Sequence, residues 1–492
     1  MKIDLLRKPS DNMDTVLVMH GDKGDVQNTE YLPDYLKSAI AIIIKQDEFD
    51  FSYASLKSFP VVHAKHRTNV ILCGVGNTHD LNSEKLRNLF ALGVRAALKL
   101  SARELFLFPG FTNTVGEVTF GHILAEAALL SIYKFDKYQS ENKQHTLEAL
   151  HLAMNLKSTR HLNHGILEGR IYAEATNLAR NLVNEPANVI YPETLAEAAR
   201  KAALQYGFSI EVINLDKLKR IKMEAFLAVA RGSKHEPRLI LMNYQGNPDV
   251  KGKTIALVGK GLTYDSGGYC IKTPQGMLHM KNDMAGAAAV IGAMAAIANL
   301  KLKVNVLGVV AACENMISGE AYRAGDIIRS MSGKTIEVIN TDAEGRLTLI
   351  DAIHYAINRE HAAKIIDIAT LTGAAVGALG NQITAVLTNN DDLLQKLQIA
   401  ADFTGDKIWQ LPAHEGYVEL IKSDIADLKN AGGPFAGAIT AGLFIREFVE
   451  DKPWLHLDIA GTALKDKEGG INSLGATGVG VRLLTQLLRE ME

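Results

Sequence analysis

Two short segments of the 492-residue sequence combine acidic side chains, basic side chains and glycines at high density. The first begins at Gly259 and continues to Asp283, and the second is the octapeptide Asn340–Leu347. Their members that could do chemistry are the acids Asp265, Asp283, Asp342 and Glu344 and the bases Lys260, Lys272 and Arg346. Carboxylates hold metal ions and cationic side chains stabilise an oxyanion, so these residues are candidates for a catalytic centre.

The four acids together predict a metal site. Asp342 and Glu344 are two residues apart, so in an extended segment both point to the same side, while neighbouring loops bring in Asp265 and Asp283. Carboxylates that share one cleft repel each other unless cations neutralise them, which predicts one or two divalent metals. With oxygen ligands and no histidine or cysteine, the candidate ions are Mg²⁺, Mn²⁺ and Zn²⁺. Each acid alone could instead belong to a turn, but turns do not require interleaved lysine and arginine.

Both segments are predicted to follow a strand, Thr254–Val258 in one case and Ile336–Ile339 in the other. Ligands of open α/β sheets bind outside the carboxyl ends of the strands, so this is where a site is expected. Alternation of strands and helices predicts an α/β domain around them. Its other predicted strands are Ile210–Ile213, Leu239–Met242, Val304–Ala311 and Ile365–Ile368, and its helices are Ala285–Asn299, Thr348–Asn358, Ala438–Val449 and Val479–Glu490.

The first 150 residues show the same alternation but no cluster of ligand-type residues, which indicates a separate, passive or regulatory domain. Its predicted strands are Thr15–His20, Asn69–Gly74 and Glu104–Pro109, and its helices are Ser83–Leu100 and Gly121–Tyr133. The composition becomes polar near residues 134–158, for example at Glu141, Asn142 and Lys143. We therefore predict an N-terminal domain over residues 1–158, a linking helix over 159–183 and a catalytic domain over 184–492.

Composition restricts the class of protein. Hydrophobic residues make up 47% and charged residues 22%, as in ordinary globular domains, and the net charge of −2 gives no support for a nucleic-acid partner. The cysteines Cys73, Cys270 and Cys313 are far apart and form no CxxC pair, which favours a reducing cytoplasm over a disulfide framework. The apolar runs Met284–Leu300 and Ala369–Asn390 are interpreted as core segments, so no membrane partner is expected.

The sequence resembles the leucyl (cytosol) aminopeptidase family, the dinuclear-metal peptidases of family M17. The octapeptide Asn340–Leu347, NTDAEGRL, matches the family signature in full, and the pattern from Lys260 to Asp283 matches in residue type and spacing. Further similar segments are Asn184–Asn188 with Pro192, Asn430–Gly433 and His456–Gly461. The resemblance covers roughly residues 160–492, whereas the N-terminal third is similar only in its pattern and size.

The resemblance implies an α/β fold of two domains, a smaller N-terminal (macro-like) domain and a larger catalytic domain with a mixed, mainly parallel central sheet. It also implies the metal ligands: Lys260, Asp265, Asp283 and Glu344 for one metal, and Asp265, Asp342 with its backbone carbonyl, and Glu344 for the other. A lysine ligand must be a neutral amine, which an adjacent dication favours.

The implied activity is metal-dependent release of N-terminal amino acids from peptides. A water shared by the two metals would lose a proton and attack the peptide carbonyl, and Lys272 would stabilise the oxyanion. Arg346 would hold a bicarbonate ion that acts as general base. Met280, Thr370 and Leu371 match positions that line the first side-chain pocket, which implies a leucine-like preference, although core packing would explain Met280 and Leu371 equally well.

Three other functions compete with this interpretation of the sequence. A dinuclear phosphoesterase also uses carboxylate-bound metal pairs, but only Lys272 and Arg346 could clamp a phosphate. Some members of the family also bind DNA in architectural or regulatory roles. An inactive scaffold is disfavoured because all five ligand positions keep their residue types. The resemblance further implies Mn²⁺ or Zn²⁺ as cofactors with Mg²⁺ as a third candidate, peptides with a free N-terminus as substrates, and a homohexamer of two stacked trimers.

Overall fold

The computed structural model describes residues 1–6, 13–21, 31–46, 49–64, 66–110, 115–141, 147–154, 158–249 and 252–492. The chain divides into two compact units, one of Met1–Glu174 with Lys467–Leu474 and one of Ala175–Asp466 with Gly475–Glu492. Both units are α/β, which confirms the predicted fold class. The division falls inside one long helix, and the predicted domain boundaries stay predictions. Asn142 and Lys143 lie outside the described residues.

The first unit contains, within the described residues, a six-stranded sheet in the order β1-β6-β5-β2-β4-β3. All neighbouring strands are parallel except the edge pair β3 and β4. The strands are β1 (Lys2–Leu5), β2 (Thr15–Gly21), β3 (Leu56–His63), β4 (His66–Gly76), β5 (Glu104–Gly110) and β6 (Ala149–Leu152). The helices are α1 (Asp34–Gln46), α2 (Ser83–Lys99), α3 (Glu117–Ser131) and α4 (Arg160–Asn184), of which α4 continues into the second unit.

The second unit contains a mixed eight-stranded sheet, counted over the part of the chain that is described, in the order β15-β14-β17-β13-β9-β10-β8-β7. Its four central strands are mutually parallel, so their carboxyl ends meet at one edge. The main-sheet strands are β7 (Ser209–Ile213), β8 (Arg238–Gln245), β9 (Ile255–Asp265), β10 (Asn305–Asn315), β13 (Lys364–Ala369), β14 (Thr384–Thr388), β15 (Ile408–Gln410) and β17 (Trp454–Asp458). The smaller sheets use β11 (Ile327–Arg329), β12 (Thr335–Glu337), β16 (Leu428–Lys429), β18 (Leu464–Lys465) and β19 (Gly475–Ala476).

Helices cover both faces of this sheet. Helix α9 packs against β9, β10 and β13 on one face, and α10 packs against the same strands on the other face. The helices of this unit are α5 (Pro192–Tyr206), α6 (Leu215–Arg220), α7 (Glu224–Ala230), α8 (Pro274–Leu278), α9 (Ala285–Leu300), α10 (Gly345–Asn358), α11 (Gly373–Leu379), α12 (Asp391–Thr404), α13 (Gly437–Arg446) and α14 (Val481–Arg489). Burial on both faces explains why the central strands are nearly continuous apolar runs.

The apolar segment around α9 belongs to the core. Met280–Leu300 is long and apolar enough to cross a membrane, but 89% of its apolar window is buried inside the protein, as in a core helix. The second apolar run of the sequence, Ala369–Asn390, is divided between the end of β13, α11 and β14.

Helix α9 lies unusually close to the sheet at Gly286. A Cβ built on Gly286 would be 2.1 Å from the carbonyl oxygen of Ile368 on β13 and 2.9 Å from the backbone nitrogen of Lys260 on β9. Both obstacles are backbone atoms, which cannot rotate away as a side chain can. The glycine therefore sets the distance between α9 and the strand that carries Lys260.

We expect Gly286→Ala to lower the free energy of unfolding by about 1–3 kcal/mol, because overpacking against backbone is only partly relieved. Gly377→Ala is the matched control, since Gly377 lies within α11 with open space around its missing Cβ. Alanine at that position should be neutral or stabilise the protein by up to about 1 kcal/mol. Chemical denaturation followed by circular dichroism measures both effects, and equal midpoints for the two variants would contradict the close approach.

Candidate metal centre

Strand β9 carries two of the predicted ligands on one face. The sequence predicts that the strand ends at Val258, but it continues to Asp265, so Asp265 lies on a strand and not in a loop. Residues five apart on a regular strand, as Lys260 and Asp265 are, point to opposite faces. The pairing of β9 with β10 shifts by one residue at Thr263, and this β-bulge returns Asp265 to the face of Lys260.

The ammonium group of Lys260 is surrounded by oxygen atoms. Its Nζ lies 2.8 Å from Asp283 Oδ2 and 3.0 Å from Glu344 Oε1. It also donates a hydrogen bond of 2.9 Å to the carbonyl oxygen of Thr370. The side chain passes the first residue of α10, where a Cβ on Gly345 would be 2.5 Å from Lys260 Cε. A Cβ at position 345 would therefore displace the end of the lysine side chain from its present position.

The octapeptide Asn340–Leu347 forms a turn that leads into α10, so the prediction of an extended segment is wrong. The backbone N–H of Ala343 donates to the carbonyl of Asn340 at 3.2 Å, and Glu344 has α-helical dihedral angles directly before α10. The preceding strand, β12, belongs to the small sheet β11-β12-β16 and not to the main sheet. A tight turn, and not strand alternation, brings Asp342 close to Glu344.

Three carboxylates converge at the carboxyl ends of the central strands. One oxygen atom each of Asp265, Asp342 and Glu344 lie within 4.8 Å of one another. Asp265 and Glu344 are almost completely buried, and Asp342 is partly exposed. A set of oxygen ligands at this spacing suits hard divalent cations.

Two further candidate residues border this carboxylate triad. Lys272 Nζ lies 2.8 Å from Asp265 Oδ2 and 2.5 Å from Asp342 Oδ1. Asp283 follows a short 3₁₀ helix and joins the group through its contact with Lys260. The structure thus brings together six of the predicted site residues in one cluster: Lys260, Asp265, Lys272, Asp283, Asp342 and Glu344.

Burial and mutual repulsion disturb the titration of these groups. Burial, reinforced by the charge of Glu344, raises the pKa of Asp265 to about 6. Burial also raises the pKa of Asp283 to about 8, although Lys260 opposes the shift. Against the effect of its own burial, the surrounding carboxylates raise the pKa of Lys260 above its ordinary value. When fully ionised, the four carboxylates and two ammonium groups carry an excess of two negative charges, which favours the binding of further cations.

The donor set fits divalent cations. Glu344 Oε2 is buried and has no hydrogen-bond partner among the described residues, which is unusual for a buried carboxylate oxygen. A dication bound to this oxygen would satisfy it, and the same positive charge would favour the neutral amine of Lys260 over its ammonium form. The assignment of individual ligands to two metals stays a prediction.

Arg346 is a buried cation in the first turn of α10. Its Nη1 donates a hydrogen bond of 2.7 Å to the carbonyl of Asn430, while its Nε has no partner in the described part of the chain. Burial lowers the pKa of Arg346 to about 10, so the guanidinium stays charged at neutral pH. A buried guanidinium with an unused donor suits a small anion.

The predicted substrate-pocket residues have different surroundings. Thr370 Oγ1 donates a hydrogen bond of 2.7 Å to Asp283 Oδ1, which ties it directly to a predicted ligand. The backbone N–H of Leu371 donates to Asp458 Oδ1 at 3.1 Å, and its side chain packs against the main core cluster. Met280 is half-buried at the start of the 3₁₀ helix before Asp283.

Two supporting residues were not recognised from the sequence. Asp458 accepts hydrogen bonds from the Leu371 backbone and, at 2.6 Å, from Thr372 Oγ1, so it fixes the loop after β13. Its place in the family-like segment His456–Gly461 was the signal that could have identified it. Asn315 Nδ2 donates to Asp265 Oδ1 at 2.8 Å, and a single asparagine at the end of an apolar strand gives no such signal.

Two family models match the chain. The model described as "Cytosol aminopeptidase family, catalytic domain" matches residues 177–485, and "Cytosol aminopeptidase family, N-terminal domain" matches residues 16–142. Among solved structures, "Bottromycin maturation enzyme BotP" is similar with a TM-score of 0.85 and 32% identity, covering 97% of this chain and 99% of that chain. The structure titled "Bottromycin maturation enzyme BotP in complex with Mn" gives a TM-score of 0.86 and 31% identity over the same shares.

Curated relatives are similar over nearly their whole length. A "Probable cytosol aminopeptidase" of Clostridium perfringens is 48% identical over 469 residues, which is 95% of this chain and 94% of the relative. A protein of the same name from Alkaliphilus oremlandii is 47% identical over 427 residues, 86% of this chain and 85% of the relative. The catalytic family model alone covers more than half of the chain. Together with the N-terminal match and these relatives, it establishes that the chain belongs to the cytosol aminopeptidase family.

Proposed function

We propose that this chain releases N-terminal amino acids, with a leucine-like preference, from peptides at a centre of two divalent cations. Membership of the cytosol aminopeptidase family implies a metal-dependent exopeptidase. The observation that carries the finer proposal is the carboxylate triad, whose oxygen atoms lie within 4.8 Å of one another at the carboxyl ends of the central strands. Peptides with a free N-terminus are the proposed substrates.

The proposed ligands form two overlapping sets. Lys260, Asp265, Asp283 and Glu344 would hold one cation, which is supported by the contacts of Lys260 with Asp283 and Glu344. Asp265, Glu344 and Asp342, with the backbone carbonyl of Asp342, would hold the other, which is supported by the triad. When bound, two such cations would polarise the peptide carbonyl and lower the pKa of a water molecule. Mn²⁺ and Zn²⁺ are the proposed ions, with Mg²⁺ as a third candidate, and the manganese complex of BotP supports Mn²⁺.

Lys272 and Arg346 are the proposed catalytic side chains. The ammonium group of Lys272 contacts both Asp265 and Asp342, which supports a role in stabilising negative charge on the oxygen of a peptide carbonyl. Arg346 is proposed to hold a bicarbonate ion, and its unused Nε donor supports this assignment. An oxygen atom of the bicarbonate would accept the proton of the attacking water.

The substrate side-chain pocket is proposed at Met280, Thr370 and Leu371. An apolar lining by Met280 and Leu371 would favour a leucine-like side chain. The hydrogen bond of Thr370 to Asp283 couples this pocket to the proposed ligands. The names of the relatives, which call them cytosol aminopeptidases, support a cytoplasmic location, and a homohexamer is proposed from the family resemblance.

Metal-stripped protein should be inactive on a leucine chromogenic amide and regain activity with Mn²⁺, Zn²⁺ or Mg²⁺. Asp342→Ala should lower kcat/KM by more than about 100-fold, because changes beyond the direct ligands already cost 10–100-fold. Asp391→Ala is the matched control and should retain activity, because Asp391 is an exposed acid in the first turn of α12. The N-acetylated substrate should not be cleaved. A folded wild type that stays inactive with every metal on a panel of amino-acid amides would refute the proposal.

Removal of dissolved carbonate should lower the activity of the metal-loaded wild type, and added bicarbonate should restore it. Arg346→Met should lower kcat by about 100-fold with little change in KM, since the loss of a general base typically costs that much. The same variant should no longer respond to bicarbonate, whereas Arg346→Lys should keep part of the response. An equal response of wild type and Arg346→Met would exclude Arg346 as the anion site.

Light scattering should give a solution mass of six times the 53.5 kDa chain if the proposed hexamer forms. The measurement needs no substrate or metal and is therefore independent of the activity assays. A mass close to 53.5 kDa would refute the hexamer and leave the proposed chemistry untouched.

A further inference from the structure

A single buried amide joins the two acidic segments of the candidate metal centre. Asn315, the last residue of β10, is completely buried. Its Nδ2 donates to Asp265 Oδ1 at 2.8 Å and to the carbonyl oxygen of Thr341 at 3.0 Å. Thr341 is the residue directly before Asp342, so one nitrogen atom is bonded to both segments.

The backbone of Asn315 also holds the first segment. Its carbonyl oxygen accepts hydrogen bonds from the N–H of Ser266 at 2.9 Å and from Ser266 Oγ at 2.8 Å. Asp265 and Ser266 are therefore fixed to the same residue through side chain and backbone. The β-bulge at Thr263 brings Asp265 into this pairing, because Asp265 faces Asn315 across the two strands.

Tyr322 is also hydrogen-bonded to the second segment. Its ring is 1% exposed, and its hydroxyl donates a hydrogen bond of 2.7 Å to the same carbonyl of Thr341 that Asn315 contacts. Thr341 Oγ1 in turn donates to the carbonyl of Gly267 at 2.6 Å and accepts from the N–H of Cys270 at 2.8 Å. The two hydrogen bonds of Thr341 Oγ1 thus connect the turn before Asp342 with the segment after Asp265.

We propose that Asn315 and Tyr322 are positioning residues that set the spacing between Asp265 and Asp342, so that two divalent cations bind as a coupled pair. The inference rests on the proposed function, because it concerns the spacing of the proposed ligands. Neither side chain touches the substrate in this proposal, since both act through the carboxylate of Asp265 and the backbone next to Asp342.

The chemistry of a primary amide explains the choice of residue. The two N–H groups of one planar nitrogen have a fixed angle between them, so Asp265 and Thr341 cannot separate without losing a hydrogen bond. Aspartate at position 315 could not donate to the carbonyl of Thr341 and would add a fifth carboxylate to the cleft. A neutral donor also leaves the charge of Asp265 available for a cation.

The test compares Asn315→Leu and Tyr322→Phe with the wild type. Metal-free proteins are titrated with Mn²⁺ in a calorimeter, and the Mn²⁺-loaded proteins are examined by electron paramagnetic resonance, which distinguishes a coupled pair from isolated ions. Asn305→Leu is the matched control: Asn305 begins the same strand and makes two hydrogen bonds with the backbone of Asn247, so its loss is structurally similar but remote.

The wild type and Asn305→Leu should each bind two Mn²⁺ with the signal of a coupled pair. Asn315→Leu should weaken the second Mn²⁺ by about 10–100-fold and give the signal of isolated ions, which is the usual effect of removing a group that orients a ligand. Tyr322→Phe keeps the ring and should weaken that Mn²⁺ about tenfold. If circular dichroism shows that Asn315→Leu is unfolded, the Mn²⁺ binding of Tyr322→Phe alone tests the proposal.

Three other outcomes would overturn the inference. Two tightly bound, coupled Mn²⁺ in both site variants would overturn the inference and leave the proposed function intact. An equal weakening in Asn305→Leu would also overturn it, because the effect would then come from general loss of stability. A folded wild type that binds no Mn²⁺, Zn²⁺ or Mg²⁺ would overturn the proposed function and this inference with it.

Discussion

The second unit depends on one electrostatic constraint, the repulsion among four carboxylates that share a buried cleft. Positive charge has to reach the middle of this group, and Lys260 does so from inside the sheet. The Lys260 side chain has room to pass α10 because that helix begins with Gly345. Strand β9, which carries Lys260, lies close to α9 because Gly286 is at the start of that helix. The backbone packing of two helices and the charge balance of the cleft are therefore parts of the same arrangement.

The centre of the fold could be predicted from the sequence, whereas its edges could not. Strand β10 and helix α9 are buried on all sides, so each contains a long apolar run, and the length of the run distinguishes the strand from the helix. Strand β3 alternates half-exposed and exposed residues, and β15 has three residues, so neither gives a clear signal. Strand β17 is fully buried but contains His456 and Asp458, which hides it from a search for apolar runs. His456 is tolerated there because its Nδ1 lies 2.5 Å from Asp367 Oδ1.

For the site, residue type and spacing were sufficient to find the charged side chains but not to arrange them. The acids and lysines have a distinctive density, whereas the geometry depends on a bulge in β9 and a turn before α10 that no local pattern indicates. Asn315 could not be identified from the sequence for a related reason. An uncharged amide has no characteristic spacing, and its importance follows only from the two strand ends and the turn that meet around it.

The bulge in β9 also has a consequence for sequence change. In a regular strand an odd separation places two side chains on opposite faces, and the extra residue at Thr263 makes the five-residue separation of Lys260 and Asp265 equivalent to an even one. With the bulge in place, the separation of Lys260 and Asp265 along the chain must therefore be an odd number of residues. The gain or loss of one residue would turn a charged side chain towards α9, an apolar helix that has no charged residue of its own. Divergence in this strand should therefore proceed by replacement at constant length.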